Sequence, residues 1–119
     1  MVTLWGNYEG ISQGSASDST INSGYQVISS GGSVTSTTIY RGGEQSIHNA
    51  GLATGTIISG GEQLVSSGGS AVDTTIEGGL QTILNGGNVS GTLISGGVQR
   101  VSSGGSAVDT TVEEGLQTV

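Results

Sequence analysis

A repeat of 18 residues runs through most of this 119-residue chain and limits the folds open to it. Ser66–Thr75 and Ser102–Thr111 are the same ten residues, SSGGSAVDTT, two repeats apart. Such periods are typical of solenoids, in which each repeat is one structural unit that stacks on its neighbours. The columns at this spacing are Gly43, Gly61, Gly79, Gly97 and Gly115; Gly51, Gly69, Gly87 and Gly105; Gln45, Gln63, Gln81, Gln99 and Gln117; and Thr20, Thr38, Thr56, Thr74, Thr92 and Thr110.

The variation within each column predicts which side chains point inward, because successive side chains of a strand alternate between its faces. The Val65 column is always β-branched and apolar, whereas the neighbouring Leu64 column also contains Ser46, Thr82 and Arg100. We therefore predict that the Val65 column is buried and the Leu64 column is exposed. The predicted inward positions are Ile47, Val65, Ile83, Val101 and Val119; Ala53, Ala71, Val89 and Ala107; and Ile58, Ile76, Ile94 and Val112, together with the threonine column. The inward threonines can form a hydrogen-bonded stack along the axis. The inward glutamines can do the same, or they can instead lie half exposed at the start of a strand.

Three bends separate three short strands in each repeat. Gly-Gly pairs such as Gly60–Gly61 and Gly68–Gly69 supply positive φ angles at two corners. A third bend is predicted where Gly55, Asp73, Gly91 and Asp109 align, since glycine and aspartate tolerate left-handed geometry. The inward aliphatic residues are spaced by six, five and seven positions, not by the constant six of left-handed hexapeptide helices. The sequence therefore predicts an all-β fold, a right-handed parallel β-helix of roughly six triangular rungs of about 18 residues.

The N-terminal part departs from the repeat. Residues 1–19 match it loosely and are predicted to be a degenerate capping rung, since terminal repeats of solenoids are atypical. Trp5, Tyr8 and Tyr25, three of the four aromatic residues, lie there or close by. Residues 20–119 are predicted to be a β-helical array from a longer protein, with one additional residue before Thr38.

Composition and charge exclude several functions. Nine acidic residues against Arg41 and Arg100 give a net charge of −7, which disfavours nucleic acid as a partner. No apolar run approaches the roughly 20 residues of a membrane-spanning helix. Met1–Gly10 has no signal-peptide pattern.

The residues that could support catalysis are isolated. His48, the only histidine, falls in an outward column, and Asp73 and Asp109 lie two rungs apart. Glu44 and Glu62 stack on adjacent rungs, but the column continues with leucine and valine. Because catalysis needs converging groups, we predict no catalytic, cofactor-binding or metal site, and no enzyme activity.

The units GGEQLVSSGGSAVDTTI and GGVQRVSSGGSAVDTTV closely resemble the passenger repeats of AIDA-type self-associating autotransporter adhesins, the antigen 43 and diffuse-adherence adhesin group. The resemblance covers roughly residues 20–119. It implies a polypeptide exported through the periplasm to the bacterial cell surface, with a C-terminal β-barrel translocator in the same precursor. It further implies adhesion to host cells, self-association with identical passengers on neighbouring cells, autoaggregation, biofilm formation and a role in virulence.

The resemblance also implies modification, since some members carry O-linked heptose on serines, added by a heptosyltransferase. We expect acceptors at exposed corners, where glycines leave room for a bulky sugar. The alternative is that these hydroxyls only bond to the turn. The candidate O-glycosylation sites are Ser29, Ser30, Ser59, Ser66, Ser67, Ser95, Ser102 and Ser103.

Two other interpretations concern function and surface. A β-helical carbohydrate-active enzyme or tailspike-like domain is the alternative function, for which the sequence offers no convincing acid–base set.

Outward aliphatic columns are either contact surfaces or are covered by neighbouring loops. These columns are predicted to contain Leu80, Val98 and Leu116, and Ile39, Ile57 and Leu93.

Overall fold

The computed structural model describes residues 3–5, 8–12 and 14–118, which form strands and no helix. In chain order the strands are β1 (Thr3–Trp5), β2 (Tyr8–Ser12), β3 (Ser15–Ser17), β4 (Thr20–Asn22), β5 (Tyr25–Ser29), β6 (Ser33–Thr35), β7 (Thr38–Tyr40), β8 (Glu44–Ile47), β9 (Leu52–Thr54), β10 (Ile57–Ser59), β11 (Glu62–Val65), β12 (Ser70–Val72), β13 (Thr75–Ile76), β14 (Leu80–Ile83), β15 (Asn88–Ser90), β16 (Leu93–Val101), β17 (Ser106–Val108) and β18 (Thr111–Thr118).

These strands stack in three parallel ladders, which form three faces of a solenoid. The first face contains β1, β4, β7, β10 and β13, and the second contains β2, β5, β8, β11 and β14. Strands β16 and β18 run through the corner between these faces and contribute to both. The third face contains β3, β6, β9, β12, β15 and β17. The structure confirms the predicted fold class, a parallel β-helix of about six rungs, with extents of 30 × 25 × 18 Å.

The register follows the 18-residue repeat except near the N-terminus. Glu62 pairs with both Glu44 and Leu80, each 18 residues away. Tyr25, by contrast, pairs with Tyr8 at 17 residues and with Glu44 at 19. The additional residue lies in the corner at 40–43, where the Gly43 N–H donates to the Tyr40 carbonyl at 2.9 Å. The prediction that it precedes Thr38 was therefore wrong. The capping role of residues 1–19 stays a prediction, and the side chains of Trp5 and Tyr8 lie outside the described residues.

This displaced insertion corrects two predictions about which side chains face inward. Thr38 pairs with Ile57. In the two rungs that precede the corner at 40–43, the buried positions are therefore Ser19 and Thr37, not Thr20 and Thr38. Ile39, predicted to be outward, is buried for the same reason, because a shift of one residue moves a side chain to the opposite face of a strand. Ser46, also predicted to be outward, is only 7% exposed.

The aliphatic core consists of two separate stacks. One joins the second and third faces, and the other belongs to the first face alone. The predicted inward positions up to Val101 are buried in these stacks, whereas Val112, in the last described rung, is 43% exposed, and Val119 lies outside the described residues. The first stack is Ile11, Ile28, Val34, Ile47, Ala53, Val65, Ala71, Ile83, Val89 and Val101, and the second is Ile21, Ile39, Ile58, Ile76 and Ile94.

A ladder of glutamine amides runs along the interior beside these stacks. Each Nε2 donates to the Oε1 of the glutamine one rung towards the N-terminus, and the glutamines from Gln26 to Gln99 are fully buried. An amide carries its donor and acceptor on different atoms, so one side chain can bond to the rungs above and below. The predicted stack is therefore confirmed as a hydrogen-bonded one. The bonds join Gln45 to Gln26 (2.8 Å), Gln63 to Gln45 (2.7 Å), Gln81 to Gln63 (2.6 Å), Gln99 to Gln81 (2.7 Å) and Gln117 to Gln99 (2.6 Å).

The buried hydroxyl column differs from the glutamine ladder. Within the described part of the chain, the hydroxyls of Ser19, Thr37, Thr56, Thr74 and Thr92 are buried without a hydrogen-bond partner. A hydroxyl oxygen is a single atom, and successive rungs lie about 4.8 Å apart, beyond hydrogen-bond reach. The expectation that the threonines bond along the axis is therefore wrong for these residues.

We expect Thr74→Val to stabilise the protein by about 1 kcal/mol, because it replaces a buried, unpartnered hydroxyl with a methyl group of the same shape. Urea denaturation monitored by circular dichroism measures the change. Thr82→Val is the matched control at a half-buried outward position and should leave stability nearly unchanged. A loss of stability in Thr74→Val would show that its hydroxyl does have a partner.

The corner glycines have two distinct roles. Gly60 has a φ of +108°, as predicted for a corner, whereas Gly61 is needed for space. A Cβ at Gly61 would lie 2.6 Å from the Tyr40 carbonyl oxygen and 2.9 Å from that of Gly43, which no side chain can accept. The third bend is confirmed, with positive φ at Gly55, Asp73, Gly91 and Asp109.

Candidate functional site

The turn between the second and third faces repeats in five successive rungs from residue 29 onwards. In the turn at 66–69, the Gly69 N–H donates to the Ser66 carbonyl at 2.8 Å. Successive turns are also bonded along the axis, as where the Gly68 N–H donates to the Gly86 carbonyl at 2.8 Å. The turns therefore form an ordered ridge along one edge of the solenoid. The equivalent turns occupy residues 29–32, 48–51, 84–87 and 102–105.

This ridge carries six of the eight candidate serines. Ser30, Ser67 and Ser103 occupy the second position of their turns and are exposed, because the chain reverses there and directs the side chain into solvent. The serines directly before them, Ser29, Ser66 and Ser102, are half-buried. At the corner between the first and second faces, Ser95 is exposed and Ser59 is half-buried. Burial thus separates four accessible candidates from four less accessible ones.

Two carboxyl groups meet on the second face beside the first corner. Glu44 and Glu62 pair in register on β8 and β11, and their side chains are hydrogen bonded. Burial raises the pKa of Glu44, and so do the hydrogen bond and the negative charge of Glu62. They border a shallow groove of about 340 Å³. The groove is also lined by Gly42, Gly43, Gly60, Gly61 and Leu80.

The geometry of this pair does not suit glycoside hydrolysis. A glycosidase holds its two carboxyl groups about 5 Å apart or more, so that the scissile bond lies between them. Glu44 and Glu62 instead lie close enough for a hydrogen bond between their side chains. Elsewhere, Gly91 separates the rungs of Asp73 and Asp109, and His48 Nδ1 lies 3.0 Å from Asn49 Nδ2. In residues 3–5, 8–12 and 14–118, no group of three or more histidines and acidic residues could hold a metal ion.

We expect Glu44→Gln to be more stable than the parent at neutral pH, with an advantage that shrinks as the pH falls towards 4. Glu44 has a raised pKa, so folding favours its protonated form. Its contribution to stability is therefore full at low pH and is lost as the pH rises through the raised pKa. Thermal melting between pH 4 and pH 7 measures the difference, and Glu77→Gln removes the same charge from an exposed position as a control. Parallel pH profiles for the two variants would contradict the raised pKa of Glu44.

Charge is distributed unevenly among the three faces. Glu44, Glu62 and Arg100 lie in strands of the second face, Glu113 and Glu114 lie in β18, and Glu77 directly follows β13. The outward positions of the third face carry no charge, and we call these twelve residues the neutral face. They are Ser15, Ser17, Ser33, Thr35, Leu52, Thr54, Ser70, Val72, Asn88, Ser90, Ser106 and Val108.

The outward aliphatic residues are scattered. Leu116 is 55% exposed in the last described rung, and Ile57 is 37% exposed on the first face. Leu80, Val98 and Leu93 are half-buried by their neighbours. The predicted aliphatic columns are thus exposed at isolated points and do not form one continuous patch.

The chain was compared with known families, protein sequences and solved structures. No helix among the described residues is long and apolar enough to cross a membrane. No family model and no curated protein sequence matches the chain. A solved structure does match, that of a hyper-glycosylated TibA fragment whose glycosylation was catalysed by TibC. The identity is 41% and the TM-score 0.81, over 98% of this chain and 52% of the fragment. In sequence and in fold, the chain is therefore similar to about half of a glycosylated TibA fragment.

Proposed function

We propose that this chain is part of the surface-exposed passenger of a bacterial autotransporter adhesin, and that it is an O-glycosylation acceptor. Its role is to mediate adhesion to host cells, autoaggregation and biofilm formation after export through the periplasm. The observation that carries the proposal is the similarity, at 41% identity over 98% of the chain, to a protein fragment glycosylated by TibC. The repeat units resemble those of AIDA-type passengers, and this resemblance also supports an autotransporter passenger.

The exposed corner serines support the acceptor role. Ser30, Ser67 and Ser103 stand on the turn ridge, and Ser95 stands at another corner. A sugar on any of them extends into solvent and leaves the stacked strands intact. A sugar on an inward hydroxyl such as Thr74 would occupy the core, because that side chain is fully buried. By the same resemblance, the sugar transferred to these serines is a heptose.

The shape of the protein supports the adhesive role. A solenoid presents the same side chains at every rung, so a weak contact is repeated along its length. Repeated weak contacts give strong attachment through multivalency without a deep pocket. An enzymatic function has less support, because the side chains of Glu44 and Glu62, which border a groove, are hydrogen bonded to each other.

Co-expression with TibC, followed by glycopeptide mass spectrometry, tests the acceptor role. We expect sugar on Ser30, Ser67, Ser95 and Ser103, and loss of one site in Ser67→Ala. Chain expressed without the transferase is the unmodified control. Sugar confined to inward residues such as Thr74 would contradict the corner assignment. An unmodified chain under these conditions would contradict acceptance of sugar from TibC.

A further inference from the structure

The turn ridge alternates between two kinds of rung. Turns that begin with two serines are separated by turns that contain no serine. Exposed hydroxyls at the second turn position therefore recur at every second rung, about 10 Å apart. Ser59 and Ser95, at the corner between the first and second faces, are likewise two rungs apart. The second residues of the five successive turns are Ser30, Asn49, Ser67, Asn85 and Ser103.

This alternation matches the space that a monosaccharide needs. The turns are bonded directly to one another, as where the Ser67 N–H donates to the Asn85 carbonyl at 3.0 Å. Adjacent rungs are therefore held about 4.8 Å apart. A pyranose ring with its hydroxyl groups is broader than this unless it stacks face to face on its neighbour, which strips water from both sugars. Sugars on adjacent rungs thus compete for space, whereas sugars two rungs apart leave a gap between them.

Asn85 occupies such a gap, in the rung between Ser67 and Ser103. It is exposed, and its amide leans along the ridge onto Gly104, where a Cβ would collide with Asn85 Oδ1 and lie 2.8 Å from Asn85 Cγ. Gly104 directly follows Ser103, so the amide lies beside that acceptor. A carboxamide has two N–H donors and a carbonyl acceptor, which complement the hydroxyl groups of a sugar. Asn85 can therefore bind a sugar on Ser103 without being an O-linked acceptor itself.

We infer that the turn ridge accepts one sugar for every two rungs, and that Asn85 binds the sugar carried by Ser103. The inference rests on the proposed acceptor role and adds to it a spacing and a sugar contact. In each transfer, the serine Oγ bonds to the anomeric carbon of a nucleotide-activated sugar. The bond from that carbon to the diphosphate breaks, and the hydroxyl proton passes to a base of the transferase. The intervening rung then separates two sugars, and its side chain holds one of them.

Glycopeptide mass spectrometry after co-expression with TibC tests the spacing. Trypsin cuts after the two arginines of the chain, so the peptide 42–100 reports positions 67 and 85 of the same molecule. In Asn85→Ser, we expect sugar at position 67 or at position 85 of a given peptide, and never at both. When Ser67→Ala and Ser103→Ala are added, position 85 should be modified.

Sugar at positions 67 and 85 of one peptide would overturn the spacing, and so would an unmodified position 85 in the triple variant. A parent chain without sugar would instead contradict the acceptor role itself.

Thermal melting tests the contact between Asn85 and the sugar, in chain that mass spectrometry shows to be modified on Ser103. Asn85→Ala should lower the melting temperature by about 4 °C more in modified than in unmodified chain, since one hydrogen bond to the sugar is lost. This additional loss should vanish when Ser103→Ala removes the sugar. Asn88→Ala changes an exposed asparagine of the third face and should have the same effect with and without sugar. An equal effect of Asn85→Ala in modified and unmodified chain would overturn the assigned contact.

Discussion

Val65→Asp should abolish the cooperative unfolding transition or shift it far towards lower denaturant. Val65 is fully buried in the larger aliphatic stack, where nothing can pair with a carboxylate. Burial of an unpaired charge costs about 4 kcal/mol, a large share of the stability of a small domain. The core stack is continuous, so the loss at one rung also removes contacts from the rungs above and below. Urea denaturation followed by circular dichroism measures the effect.

Ser66→Asp is the matched control, at the residue that directly follows Val65 at the end of β11. Ser66 is half-buried and outward, so its carboxylate reaches water. We expect a change in stability within about 0.5 kcal/mol, as for most surface substitutions. Equal losses in the two variants would mean that the inward and outward positions of this strand are wrongly assigned.

Gln63→Glu should convert the protein into one whose stability depends strongly on pH. Gln63 donates to Gln45 and accepts from Gln81 within the buried amide ladder. A protonated glutamate can do the same, since its hydroxyl donates and its carbonyl accepts. An ionised glutamate cannot donate, and its charge has no partner in the core. The variant should therefore be close to the parent at about pH 3.5 and far less stable at neutral pH.

The sign of this pH dependence follows from the preference of the fold for the protonated carboxyl. That preference raises the folded pKa of residue 63 above its unfolded value of about 4.3. Stability is then retained below the unfolded pKa and falls by about 1.4 kcal/mol per pH unit until the raised pKa is reached. Gln63→Leu, which cannot ionise, should lose stability without this pH dependence. Denaturation midpoints that run parallel for the two variants would show that residue 63 is hydrated.

Most of the fold could be predicted because the repeat supplies its own internal comparison. The columns of Val65 and Ile76 stay aliphatic from Ile47 and Ile58 onwards, and the structure buries both as far as Val101. The error at Ile39 arose at the one corner with an additional residue. An insertion before Thr38 and one in the corner at 40–43 leave the later columns equally well aligned. The pairings of β7 with β4 and with β10 distinguish them.

The candidate site was less predictable. The Gly-Gly pairs marked the corners, so the positions of the candidate serines followed from the sequence. The degree of exposure did not, since Ser66 and Ser67 have the same residue type and neighbouring glycines but different environments. The raised pKa of Glu44 depends on burial and on side-chain conformations that the column spacing does not report. The absence of charge on the third face became visible only once all its outward positions were assigned.

The exact 18-residue register from β8 to β16 has an evolutionary consequence. Every rung in this stretch presents the same hydrogen-bonding edge above and below, and the same glutamine and aliphatic positions inside. An in-frame duplication of two rungs therefore inserts a segment that pairs on both sides without disturbing the core. The two identical segments of the sequence, Ser66–Thr75 and Ser102–Thr111, are what such an event leaves behind. The length of the solenoid, and with it the distance between its two ends, can thus change by recombination while the fold stays the same.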